Sequence, residues 1–212
     1  MVHAGRMNGE VQTEATGGLK ERLLAAGREI LEKRGLEALS LRAVARAAGV
    51  SHMAPYRHFA DKDALLAAIA ARGFSELTEA MDRAAAGESD AMRRLEAIGV
   101  AYVLFALDNP ALYRLMFGAG IGNMARFEEL AQAGAAAFSH CREALAAVQA
   151  EKGASTGGQS DAALRTGAIT LWSLVHGLAS LALDGRVSLP TDDPTALRAA
   201  IESILTSCLP NT

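Results

Sequence analysis

The amino-acid sequence predicts an all-α protein: an N-terminal three-helix helix-turn-helix head followed by a larger C-terminal helical bundle, about nine helices in total. Three observations lead there. Half of the 212 residues are apolar, Ala and Leu dominate, β-branched runs are scarce and only five prolines occur. That balance favours helices. Apolar residues recur at helical spacing along much of the chain. Finally, the run LRAVARAAGVSHMAPYRHF at 41–59 reads as a short apolar helix, a glycine turn, a serine and a second short helix with a basic, aromatic outer face. Such a layout places the second helix in the major groove of DNA.

Each element has a local justification. Residues 1–17 have no apolar period and are expected to form a disordered lead. A first helix spans about Gly18 to Arg34, with Leu23, Ala26, Ile30 and Leu31 on one face. Gly35 is placed to end it as a left-handed cap. Ser40 suits the N-cap of a second helix, whose Leu41, Val44, Ala45 and Ala48 face inward. Gly49 closes that helix, and Val50 enters the core. Ser51 is expected to cap a third helix, His52 to Phe59, with Pro55 at its fourth position. There a proline removes only the first intrahelical bond, to the Ser51 carbonyl, and crowds that turn. Asp61 caps a helix running from Lys62 into the mid-80s.

Gly87 breaks the chain before a helix from about Ser89 to Asn109. Asn109-Pro110 marks a boundary, and the short helix ALYRLMF follows. GAGIG at 118–122 is a loop, and a long helix spans about Met124 to Glu151. The stretch 153–160 is a Gly/Ser-rich connector. Two helices close the chain, Asp161 to Asp184 and Pro194 to Cys208, the latter with Asp193 as cap and Pro194 at its first position. The expected domains are 1–17 lead, 18–65 helix-turn-helix DNA-binding domain and 66–212 larger helical body.

In the third helix, His52, Met53, Tyr56 and Arg57 share a face, while Pro55 and Phe59 point to the core. Arg57 can pair bidentately with guanine, and Tyr56, His52 and His58 can donate to phosphate. Met53 and Ala54 offer apolar contact to thymine methyls. Ser40 and Ser51 sit at helix N-termini, where free amides favour phosphate, and Lys62 can reach the backbone as a point charge.

On these residues the chain resembles the TetR family of bacterial transcriptional regulators. The resemblance runs from about Leu19 to Phe74. It is carried by Gly35, Val44-Ala45, Ala48-Gly49-Val50-Ser51, Tyr56, His58-Phe59, Lys62 and Ala64-Leu65-Leu66. A second match lies far downstream: Trp172, three residues, then His176-Gly177 is similar to the Trp-x-x-x-His-Gly motif of many C-terminal domains in this family. Many members carry Lys-Gly-Thr-Leu where this chain has His52-Met53-Ala54-Pro55, so base preference does not carry over. The resemblance implies a homodimer that represses nearby genes and releases an inverted-repeat operator when a small molecule enters the C-terminal domain.

Eight of the ten aromatics lie after residue 70. Tyr102, Phe105, Tyr113, Phe117, Trp172 and His176 are the candidates for lining an apolar ligand pocket, against the alternative of plain core packing. Residues 161–208 are the expected dimer interface, since Gly167, Ala168, Gly177, Ala179 and Ser180 permit close helix approach. A two-fold dimer would set its recognition helices one DNA turn apart, about 34–36 Å.

Charge fits this reading. Residues 18–65 carry nine Lys/Arg against six Asp/Glu, and residues 66–212 carry eleven against sixteen. A mildly basic head on an acidic body suits phosphate at one end only. It also argues against a non-specific DNA-coating protein, whose binding needs many phosphate contacts. A small all-α enzyme is the remaining alternative, but no H-E-x-x-H, G-x-S-x-G or P-loop occurs. Cys141 and His140 are adjacent on a helix and point about 100° apart, a poor nucleophile–base pair. Cys141 and Cys208 are far apart, so neither a disulfide framework nor a zinc site is expected, and no cofactor is. Thr166–Leu183 lacks formal charge, but its Thr, Ser, Gly and His content suits a buried or partner-facing helix better than a membrane span. No secretory signal is visible, so the expected compartment is the cytoplasm.

Overall fold

A computed structural model describes residues 8–118, 120–121, 126–151, 153 and 160–208, with side chains from residue 18 onward. Among the described residues there are eight α-helices, two 3₁₀ turns and no strand. The helices are α1 (Asn8–Arg34), α2 (Leu41–Ala47), α3 (Lys62–Ala85), α4 (Ala91–Asp108), α5 (Pro110–Phe117), α6 (Glu128–Glu151), α7 (Asp161–Leu183) and α8 (Pro194–Cys208). The 3₁₀ turns are η1 (Leu36–Ala38) and η2 (Pro55–Arg57).

Two helix assignments differ from the sequence expectation. The α1 helix begins at Asn8, inside the stretch read as an unstructured lead. No proline interrupts residues 8–34, so nothing sterically stops the helix from extending. Residues 1–7 lie outside the described part. The helix expected over His52–Phe59 is instead the short 3₁₀ turn η2. Pro55 explains it. An α-helix starting at His52 would need a donor at Pro55 for the Ser51 carbonyl, and the pyrrolidine would crowd that carbonyl. The Ala54 amide takes it instead, one residue early, at 3.0 Å. Arg57 and His58 continue the tighter pattern onto the Ala54 and Pro55 carbonyls. The cap of η2 is Ala54, without a side-chain hydrogen bond, so Ser51 is not its cap.

The other local signals act through local bonds. Ser40 Oγ accepts from the Ala43 amide at 3.1 Å. Asp61 accepts from Ala64 N at 2.8 Å. Asp193 accepts from both Thr195 N and Ala196 N. Gly35 has φ 76° with ψ 174°, a positive-φ extended conformation rather than the expected αL cap. Gly49 has φ 67°, the left-handed residue that turns the chain out of α2. The start expected at Met124, and most of the 153–160 connector, lie outside the described residues.

The chain divides into two compact units. One takes in residues up to Ala71 together with Ala111–Leu130; the other takes in Arg72–Pro110 and the residues from Ala131 on. In the first, Leu23, Leu31, Leu39, Val44 and Leu65 are almost fully buried, with Phe59 against them in the core. Ala48 and Val50 are only half-buried, whereas Ala43 is buried beside Leu41, Val44 and Ala45. In the second unit, α4 packs against α7 and α8, where Val100 and Val103 meet Leu178, Leu197, Ile201 and Leu205.

Candidate nucleic-acid interface

The helix-turn-helix is built on α2. Leu41, Val44 and Ala45 point inward, which turns Arg42 and Arg46 outward one helical turn apart. The chain then turns at Gly49 and enters η2. Despite the shorter helical segment, the expected division of sides is present. Pro55 and Phe59 are buried, while His52, Met53, Tyr56 and Arg57 are exposed. Ala54 and His58 are half-buried, and the His58 ring lies 6.3 Å from that of Phe59.

The surrounding groups are placed by short polar contacts. Arg22 of α1 donates to the Ala48 carbonyl at 2.7 Å, setting a positive charge at the C-terminal end of α2. Lys62 Nζ donates to the Leu36 carbonyl at 3.4 Å, a contact loose enough for the ammonium to be shared with a phosphate. Ser40 is exposed, and because its Oγ is used as an acceptor, its hydroxyl proton points elsewhere. The free-amide argument for phosphate at Ser51 no longer applies, since a three-residue turn has no appreciable helix dipole.

Arg42, Arg46, Ala45, Val50 and His52 line an open hollow of about 540 Å³ beside η2. Sequence reading passed over both arginines. Their signal was legible: two cations four residues apart on the side of α2 opposite Leu41, Val44 and Ala45.

In the second unit, the Trp172 indole N–H donates to Tyr102 Oη at 3.1 Å. Tyr102 Oη in turn lies 3.0 Å from His176 Nδ1. The Trp172 ring also packs on Phe138, with centroids 5.2 Å apart. Burial pushes the His176 imidazole below its ordinary range. Residues 172 and 176 are one turn apart on α7, so both reach one residue of α4.

Comparison with known proteins decides what this scaffold is. A family model described as bacterial regulatory proteins of the tetR family matches residues 23–69. A second, described as a tetracyclin repressor-like C-terminal domain, matches residues 95–204, half the chain. This chain belongs to the TetR family. It is therefore a DNA-binding transcriptional regulator and not an enzyme. A Rhodococcus sp. RHA1 structure of unknown function is similar at 36% identity and TM-score 0.70, covering 89% of this chain and 94% of that one. A tetR-family regulatory protein from Rhodococcus RHA1 shares the fold at 23% identity and TM-score 0.62, covering 89% and 95%. The HTH-type transcriptional regulator Mb1846 of Mycobacterium bovis is 30% identical over 105 residues. That match spans 49% of this chain and 45% of the relative.

In this TetR-family chain the six pocket candidates divide between the two compact units, and Tyr102, Trp172 and His176 are joined as described. Phe105 is 8% exposed and borders a separate groove. Tyr113 and Phe117 pack ring against ring at 4.8 Å and belong to the other compact unit. Nor do Cys141 and His140 pair: the thiol lies near the Ala168 carbonyl and is pushed up to about 11 by burial, while His140 Nε2 lies 3.3 Å from Asp82.

Helix α7 is apolar and long enough to cross a membrane, the only such single helix among the described residues. Its most apolar window is only 17% buried. Ile169 and Leu181 are exposed, and so is Ser173 between them. With Gly177 these residues form an i, i+4 ridge. A Cβ added at Gly177 would meet nothing within 4 Å. Thr166 and Thr170 bond back to carbonyls of their own helix.

Proposed function

We propose that this regulator is a repressor acting as a homodimer through residues 161–208, bound to an inverted-repeat operator and released by a small hydrophobic ligand. The observation that carries it is the open ridge Ile169–Ser173–Gly177–Leu181 on α7. Rows of residues four apart are the ridges by which helices interdigitate. A glycine facing open space leaves room for the backbone of a second copy, and the ridge lies within the uncharged stretch 166–183, bounded by Arg165 and Asp184. Apolar area left in water at Ile169 and Leu181 is recovered when two copies meet.

Two copies then present two turns containing Tyr56 and Arg57 to successive major grooves, about 34–36 Å apart. The DNA set is Ser40, His52, Met53, Ala54, Tyr56, Arg57, His58 and Lys62, joined by Arg42 and Arg46, with Ser51 offering only its exposed hydroxyl. Release follows if a ligand binds better to a conformation whose heads are out of register; equal affinity for both states shifts nothing. The protein acts in the cytoplasm, where its operator is.

A reporter gene placed behind DNA retained by the protein tests the sign of regulation. Repression predicts lower reporter output when the protein is co-expressed, with sedimentation equilibrium giving twice the chain mass. Higher output would identify an activator, and a monomer mass in the presence of operator would end the dimer reading.

A further inference from the structure

The second unit contains a groove that none of the contacts above uses. It is an open groove of about 580 Å³ between α3, α4 and α8. Sites for small organic molecules occupy about 300–1,000 Å³. Its floor is apolar, with Ala80 and Ala84 from α3 and Ala101, Leu104 and Phe105 from α4. Charged groups stand at its rim.

Most of those charges compensate one another. Glu76 lies 3.4 Å from Arg72, and Glu79 lies 3.7 Å from Arg83. Arg198, the α8 contribution, lies 3.6 Å from Glu202 of its own helix. Asp108 is different. It lines the groove, it is exposed, and it makes no ion pair among the described residues. It is also the last residue of α4, at the negative end of the helix dipole. Its neighbour Asn109 turns both its backbone amide and its side-chain amide onto the Phe105 carbonyl, not toward Asp108. An apolar trough therefore ends at one uncompensated negative charge, reinforced by a helix C-terminus.

We propose that this groove is the effector site and that its ligand is an amphiphilic organic cation. The apolar body lies over Phe105, Leu104 and Ala80, and the cationic head meets Asp108. The carboxylate and the negative end of the helix dipole both favour a positive head at that end of the groove. An anionic amphiphile would set its charge against Asp108 and the dipole. The step from binding to DNA release rests on the regulator reading above; the binding itself does not.

The test is calorimetric titration of the full chain with decyltrimethylammonium below its micelle concentration, beside decanoate and decanol. The expected result is saturable binding of the cation, with decanoate about tenfold weaker or absent. Asp108→Asn lowers affinity for the cation about fivefold, and Asp108→Lys inverts the preference toward decanoate. Ala80→Leu, a helix-compatible change that fills the trough, abolishes binding while circular dichroism and Tm confirm the fold. Equal binding of decanoate, or cation binding indifferent to both Ala80→Leu and Asp108→Lys, overturns the proposal. Absence of any specific DNA target alongside groove-dependent cation binding would instead remove the regulator's release step and leave the site standing.

Discussion

The turn around Pro55 and the ridge of α7 leave large apolar side chains in water to a similar degree. Met53 and Tyr56 are 59% and 46% exposed; Ile169 and Leu181 are 45% and 47% exposed. Their surroundings differ. In sequence Met53 and Tyr56 adjoin His52 and Arg57, and His52 lines a hollow with Arg42 and Arg46, so the apolar groups share a turn with groups that bind phosphate and base edges. Between Ile169 and Leu181 lie Ser173, Gly177 and no charged residue, with two threonines whose hydroxyls are turned onto their own helix; charge returns only at Arg165 and Asp184, at the two ends. Exposure alone does not name a partner; the charge beside it does. A surface with apolar tips in a basic field suits nucleic acid, and a smooth uncharged ridge suits another helix.

The sharpest way to break that comparison is to put a charge on the ridge. Leu181→Arg should convert the dimer to a monomer in sedimentation equilibrium. Losing the second head should weaken operator binding by about a hundredfold or more, since the two half-sites are no longer held by one molecule. An unchanged mass would move the interface elsewhere. Next comes the head. Arg57→Ala should cost about 1–3 kcal/mol on a specific site and much less on random DNA if the guanidinium reads a base. Equal loss on both would reduce it to a phosphate contact. Smaller in scale is the polar chain behind the ridge. Tyr102→Phe removes the oxygen that Trp172 donates to and the partner of His176 Nδ1. It should lower unfolding stability in urea by about 1–2 kcal/mol while leaving the preference of specific over random DNA unchanged.

The smallest effect is one of pH. Burial holds His176 below its ordinary value near 6.5. The unfolded chain therefore takes up that proton at a higher pH than the folded chain does. The associated stability is fully present above about pH 6.5 and is lost as pH falls below it. Tm measured from pH 7.5 down to 5.5 should decline, and His176→Gln should flatten the decline. A slope unaltered by that substitution would assign the effect to other groups.

Local features of the fold were legible in the sequence because their causes are local. Ser40, Asp61 and Asp193 cap the helices they precede through bonds spanning two or three residues. Pro55 was also visible, but its consequence was underestimated: the missing donor and the crowded Ser51 carbonyl reduce the expected helix to a three-residue 3₁₀ turn flanked by irregular turns, rather than weaken one bond. Leu41, Val44 and Ala45 marked the inner side of α2, and Arg42 and Arg46 on the outer side were left unread. Long-range joins were not legible. Tyr102 and His176 are 74 residues apart, and their spacing in sequence carries no sign that they meet. The groove at Asp108 likewise exists only once α3, α4 and α8 pack together.

The central claim is that the turn bearing Tyr56 and Arg57 reads sequence in pairs. The most direct test incubates the purified protein with sheared genomic DNA from its source at physiological salt and sequences the retained fragments. The account predicts enrichment of one short inverted repeat with half-sites about one helical turn apart. Uniform recovery across the genome would contradict it.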